Sequence, residues 1–97
     1  MKTVYSVYIL RCADGTLYTG IALDVAARVA QHNAGTGARY TRGRGPVRVL
    51  VRRRVGSRSE AQRLEAALKR LPCADKVARL RRYRVPAGSQ RAEKGLS

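Results

Sequence analysis

The side chains of this sequence with most chemistry to offer are Tyr8 and Tyr18, the four-spaced pair Arg28 and His32, and Glu65. A phenol can hold or deliver a proton, an arginine can clamp a phosphate oxygen, and a histidine can move a proton near neutral pH. Each also has a plainer reading. All five aromatic residues are tyrosines; a buried phenol needs a hydrogen-bond partner, and any one of them alone reads as structural. Arg28 and His32, taken alone, read as a surface arginine and a satisfied histidine. Glu65 stands four residues before Lys69, where an ion pair on one helix face is worth about 0.2–0.5 kcal/mol. Its sharper reading is a metal ligand, because Mg2+ often takes only one or two carboxylates and completes its shell with water and substrate phosphate. One carboxylate is too few for a two-metal nuclease centre.

The elements that must position these residues follow from pattern. The β-branched and aromatic run Val4 to Leu10, the turn signal Asp14-Gly15 and the segment Leu17 to Ile21 predict a β-hairpin. A two-residue turn would put Tyr8 and Tyr18 on opposite faces. A three-residue loop, Ala13-Asp14-Gly15 with left-handed Gly15, sets Tyr18 opposite Leu10 and Gly20 opposite Tyr8; both hydroxyls then share one face with open space above Gly20. We expect the three-residue form. Asp24 can cap a helix from Val25 to His32 that stops near Gly35, with Arg28 and His32 projecting from one face beside Val25 and Val29.

A basic, glycine-rich loop over residues 35–46 leads to a third strand, in which Val47, Val49 and Val51 alternate with Arg48, Leu50 and Arg52 and share the packed face. Ser57 or Ser59, with Glu60 or Gln62, offers a capping box for a helix whose stripe is Ala61, Leu64, Leu68 and Leu71, with Glu65 beside it. Pro72 ends that helix, and Ala74 to Arg82 forms a last short one with Val77 and Leu80 inward. The fold class is therefore α+β, a small three-stranded antiparallel sheet flanked by about three helices. Residues 1–83 form one domain and 84–97 a loose basic tail.

Charge points to the partner. The chain of 97 residues carries 21 Lys and Arg against 6 Asp and Glu, net +15, which favours a polyanion, nucleic acid first. GC-rich coding could swap Lys for Arg but could not remove acids. Residues 41–58 hold seven arginines and no acid, so this loop and third strand are the expected phosphate-facing surface, with Arg39, Arg42, Arg44, Arg52 and Arg54 as candidate nucleic-acid contacts. The plainer account of Arg52-Arg53-Arg54 is a solvated strand end. No apolar run approaches the ~18 residues of a membrane span. Cys12 and Cys73 lack metal-ligand spacing, and no signal peptide opens the chain, so a cytoplasmic location with free thiols is expected. Phosphate-loop, HExxH and GxSxG motifs are absent.

Tyr8 within Ser6-Val7-Tyr8, then Tyr18-Thr19-Gly20, Arg28, His32, Asn33 and Glu65 together resemble the GIY-YIG nuclease superfamily over residues 4 to about 80. The sequence is most similar to its small stand-alone bacterial members, through Leu17-Tyr18-Thr19-Gly20-Ile21, Gln31-His32-Asn33-Ala34-Gly35, Ala38-Arg39-Tyr40-Thr41 and Ser57-Arg58-Ser59-Glu60-Ala61. The resemblance implies that Tyr8 activates the attacking water, Tyr18 orients that water or the phosphate, Arg28 clamps the phosphate, His32 assists proton relay, and Glu65 is the sole ligand of Mg2+ or Mn2+; Tyr40 is a further site contact. Three features depart from the pattern. Only the tyrosine of the first triplet is kept, Ile21 stands where repair-type members often have lysine, and no asparagine follows Glu65 at residues 77–80. Nor do 97 residues leave length for the separate DNA-binding domain of larger members.

The leading expectation is a metal-dependent endonuclease acting on DNA rather than RNA, on branched or single strands. The alternative is a nucleic-acid-binding accessory protein of DNA repair or RNA metabolism that cuts little. A third reading is a subunit recruited to DNA by a protein partner. Oligomeric state is open.

Overall fold

The computed structural model describes residues 3–35 and 45–84. Their elements are β1 (Tyr5–Arg11), β2 (Leu17–Ala22), α1 (Val25–Asn33), β3 (Arg48–Gly56), α2 (Arg58–Lys69) and α3 (Cys73–Arg81). The sheet is antiparallel with order β2-β1-β3. Its central strand supplies Val7, Tyr8, Ile9 and Leu10, each 1% exposed or less, as a strand covered on both faces requires.

The hairpin has the three-residue loop. Tyr8 pairs with Gly20 and Leu10 with Tyr18, and Gly15 takes φ +88°, the left-handed step that lets such a loop rejoin the strand. Asp24 caps α1 by accepting from the Ala27 amide at 3.0 Å. At the far end Gly35, at φ +82°, follows the C-cap, as glycine does where a helix must reverse out of its own path. Ser57 is the cap of α2, and the box is reciprocal: its hydroxyl accepts from the Glu60 amide at 3.1 Å, and Glu60 Oε1 accepts from the Ser57 amide at 2.8 Å.

One expectation about β3 is overturned. Val47, Val49 and Val51 do not share a face. Opposite Leu10 and Ile9 the strand offers Val49 and Val51, so Leu50 is an extra residue in a β-bulge, and the alternation reverses there. Val47 and Val49 therefore pack with Tyr8, Leu10, Ala22 and Val25 beneath α1, whereas Val51 and Val55 join Val7, Ile9, Leu64, Leu68 and Leu80 beneath α2 and α3. The same shift sets Arg52 opposite Tyr8 and Arg54 opposite Ser6, on the face that carries the tyrosines. Arg53 turns to the other face, where its Nη2 donates to the Arg81 carbonyl at 2.7 Å.

Two details tie the frame together. Asn33, at the end of α1, donates through Nδ2 to the Val47 carbonyl at 3.2 Å and accepts the Val47 amide at Oδ1 at 2.6 Å; its amide side chain acts as a short strand against the chain entering β3. On the α2 side of the hairpin, Thr19 is 4% exposed and its hydroxyl has no hydrogen-bond partner among the described residues. Cys12 is buried, Cys73 is exposed, and both are free. No helix among the described residues is long and apolar enough to cross a membrane. Of the expected tail, residues 84–97, only Arg84 is described, exposed just past α3; residues 85–97 lie outside the described residues.

Candidate active site

Three rings from three elements meet on the α1 side of the sheet. Tyr8 comes from β1, Tyr18 from β2, and His32 from the last turn of α1. Their centroids are 6.4 Å apart for Tyr8 and Tyr18, 6.3 Å for Tyr8 and His32, and 5.2 Å for Tyr18 and His32, all inclined rather than stacked. Such tilted packing sets ring edges against ring faces, as the aromatic quadrupole favours.

The expected open space above Gly20 is filled. Tyr8 leans across that residue, so that a Cβ there would stand 2.6 Å from the Tyr8 hydroxyl and 3.0 Å from Cε2 of Tyr18. Glycine is what allows the two rings to lie against the strand.

His32 is 2% exposed and continues the Val25 and Val29 stripe inward, seven residues after Val25, instead of standing on the surface beside Arg28. Burial, helped by the Arg28 charge, holds its pKa below the ordinary histidine value, so the ring is neutral at pH 7. The Tyr8 hydroxyl and His32 Nε2 share a hydrogen bond of 3.3 Å. With the imidazole proton on Nδ1, Nε2 accepts the phenol proton; the other tautomer reverses the bond.

Arg28 and Glu65 complete the group around Tyr8. Burial raises the Tyr8 pKa well above the ordinary phenol value; Tyr18 and Glu65 add to the rise, and Arg28 opposes it. The other four catalytic candidates thus all bear on that phenol, His32 and Tyr18 by contact and Arg28 and Glu65 by charge. Arg28 is exposed and reaches a hollow of about 330 Å³ bordered also by Tyr5, Ile21, Gln31 and Arg58. Arg58 enters this hollow from the first turn of α2. In sequence it is one arginine of a basic stretch; the signal that marks it is its place directly after the capping Ser57, at the first position of α2. Ile21 therefore borders a hollow with two guanidinium groups on its rim.

Glu65 sits mid-way along α2, its side chain 21% exposed and its carboxylate 3.5 Å from Lys69 Nζ. The i,i+4 pair is present, and the charge of the same carboxylate adds to the rise in the Tyr8 pKa. No group of three or more His, Cys, Asp or Glu converges among the described residues. A lone, partly buried carboxylate beside phenols and a guanidinium fits a hard divalent cation that draws its other ligands from water and phosphate, and does not fit zinc or a dinuclear centre.

Arg52 and Arg54 border a larger hollow, about 920 Å³, on the tyrosine face, together with Ser6, Asp24 and Val25. Arg39, Tyr40, Arg42 and Arg44 lie outside the described residues.

The fold is a three-stranded antiparallel sheet with three helices, and the family whose model fits it is the GIY-YIG catalytic domain. The model of that family matches residues 4–76, and the chain belongs to it. Among its relatives, a UPF0213 protein of Cupriavidus pinatubonensis is 54% identical over 71 residues, 73% of this chain and 79% of that protein. Another, of Halobacterium salinarum, is 51% identical over 75 residues, 77% of this chain and 97% of that one. A protein of E. faecalis solved by solution NMR is similar in structure, with TM-score 0.58 and 36% identity over 84% of this chain and 88% of that one.

Proposed function

We propose that this protein is an endonuclease that hydrolyses phosphodiester bonds in DNA, with Mg2+ or Mn2+ held by Glu65. The observation that supports the reading best is the convergence of Tyr18, Arg28, His32 and Glu65 on the Tyr8 phenol.

The division of labour follows from burial and charge. Tyr8 is 1% exposed and Tyr18 half-buried, so Tyr18 presents its ring nearer the substrate while Tyr8 is anchored against His32. Arg28, exposed on the rim, binds the scissile phosphate, and Arg58 across the same hollow neutralises the flanking backbone. Neutral His32 holds the phenol proton or returns it. A phenol with a raised pKa is a poor base until positive charge arrives, and Arg28 alone does not offset burial here. A divalent cation on Glu65 supplies that charge and stabilises the phosphate and the leaving oxygen. Arg52 and Arg54 extend the phosphate-binding surface along β3.

The test is incubation of wild type, Glu65→Gln and Tyr18→Phe with end-labelled single-stranded, duplex, flapped and branched DNA and matching RNA, with and without Mg2+ or Mn2+. Cutting by wild type alone, and only with metal, is the expected outcome, and the array ranks the substrates. Salt-dependent binding without cutting under every metal condition would instead assign an accessory binding protein.

A further inference from the structure

The basic surface does not stop at the tyrosine face. β3 is one of the two edge strands of the sheet, and its arginine triplet straddles it: Arg52 and Arg54 face the tyrosine side while Arg53 faces α3. Behind the strand lies a second hollow, about 330 Å³, lined by Arg53, Arg54, Arg81, Arg82, Tyr83 and Arg84. Arg53 and Arg54 also line the large hollow in front, so the two meet over the edge of β3.

We propose that Arg53, Arg81, Arg82 and Arg84, gathered around Tyr83, form a second site for the phosphate backbone of nucleic acid, which receives the strand after it passes from the tyrosine face over the edge of β3.

Five arginines and no acid line this hollow. A C-terminal helix dipole favours the cations of the last turn of α3, and that alone would account for Arg79 and Arg81. Arg82 is the C-cap of α3 and Arg53 reaches from β3 to the Arg81 carbonyl, so the helix end draws a guanidinium from another element as well, yet it does not account for Arg84 beyond it or for the gathering of all five on one hollow. Cations crowded this way repel one another until an anion enters between them, and consecutive phosphates are the anion that can engage several guanidinium groups at once. Tyr83 is partly buried, packed against the core beneath α3, so its ring is held by the fold and can offer an edge or face to a base. Burial, with Glu60 nearby, raises its pKa, so its hydroxyl stays protonated and can donate to a phosphate oxygen. This site rests on the nucleic-acid reading above but not on cutting.

The experiment measures binding of the full chain to a short and a long fluorescein-labelled DNA over a series of salt concentrations, with chelator present so that nothing is cleaved. Wild type is compared with Arg82→Ala/Arg84→Ala and with Arg63→Ala/Arg70→Ala, which removes equal charge from exposed positions on and just after α2. Removing one arginine–phosphate pairing lowers the slope of log K against log salt by about 0.7–0.9. The Arg82/Arg84 pair should lose about 1.5 in slope and, from that slope, roughly tenfold in affinity near physiological salt on the long DNA, with little change on the short one. Equal losses in both double variants would show that net charge alone matters and overturn the site. Competition by polyglutamate through the same two arginines, as effective as by DNA, would assign an acidic protein instead and overturn it too. Absence of any DNA binding by wild type would bring down the functional reading itself, whereas normal binding and cutting by the Arg82/Arg84 variant would bring down only this site.

Discussion

The hydroxyl of Tyr8 lies where the side chain of any residue but glycine at position 20 would have to begin: a Cβ on Gly20 would sit 2.6 Å from the oxygen and 2.8 Å from Cζ. The β1–β2 pairing sets the two residues directly opposite each other, so neither can move without loosening the hairpin. Gly20→Ala should therefore cost about 1–3 kcal/mol of stability as an overpacked core does. On the proposed function, cutting should fall further than stability explains, because the displaced ring takes the His32 hydrogen bond with it. Thermal unfolding beside cleavage rates separates the two effects; an alanine variant with native stability and native rates would show that Tyr8 is not held where the site needs it.

Thr19 precedes that glycine and faces the opposite way, opposite Ile9, with its buried hydroxyl unpaired among the described residues. Valine has nearly the same shape and no polar group to desolvate. Thr19→Val should raise stability by about 1 kcal/mol, seen as a shift of the denaturation midpoint at unchanged slope.

Lys69 pairs with the carboxylate of Glu65, the group proposed above to hold the metal. The pair is exposed on the lysine side, so its loss should change stability by less than about 0.5 kcal/mol. Lys69→Ala should nevertheless lower the Mg2+ concentration at half-maximal cutting, because Glu65 is released from a resident cation. A metal titration that gives the same midpoint for both proteins would argue against Glu65 as the ligand.

The raised pKa of Tyr8 gives a directional pH dependence. In the unfolded chain the phenol ionises near pH ~10, whereas in the fold burial, Tyr18 and Glu65 keep it protonated to higher pH. Its contribution is present in full below the unfolded value and is lost as pH climbs toward the folded one. Wild type should therefore lose melting temperature above pH ~10 more steeply than Tyr8→Phe. His32 acts at the other end: its folded pKa is depressed, so stability present above pH ~6.5 declines as the pH falls below it. Parallel melting curves for wild type and Tyr8→Phe across the alkaline range would remove the buried-phenol account.

Much of this arrangement is legible in the residue pattern because local chemistry and global fold agree. The loop length implied by Gly15 fixes hairpin parity, and parity fixes the shared face of Tyr8 and Tyr18. Asp24 and Ser57 announce their helices by the amide protons they can accept. Two things are not legible. The bulge at Leu50 leaves no trace in a strand whose valines alternate without interruption, since its cause is the need to satisfy two cores at once: Val49 beneath α1 and Val51 beneath α2 and α3. Nor does the i,i+4 spacing of Arg28 and His32 say that one of them is buried, because a helix face spans a range of depths, and only the approach of Tyr18 and Tyr8 decides which side chain is covered.

Asn33 and Val47, joined by two hydrogen bonds across fourteen positions, act as a clasp at the neck of the segment that carries Arg39, Tyr40, Arg42 and Arg44. Closing the neck settles the geometry of β3 and the end of α1 without reference to what lies between. Length and composition there can drift, or be exchanged by design, while the tyrosine site stays in register. Because lengthening a connection whose ends are already joined adds only slowly to its entropic cost, the clasp is a point at which residues between Asn33 and Val47 can be exchanged while the two flanking elements keep their places.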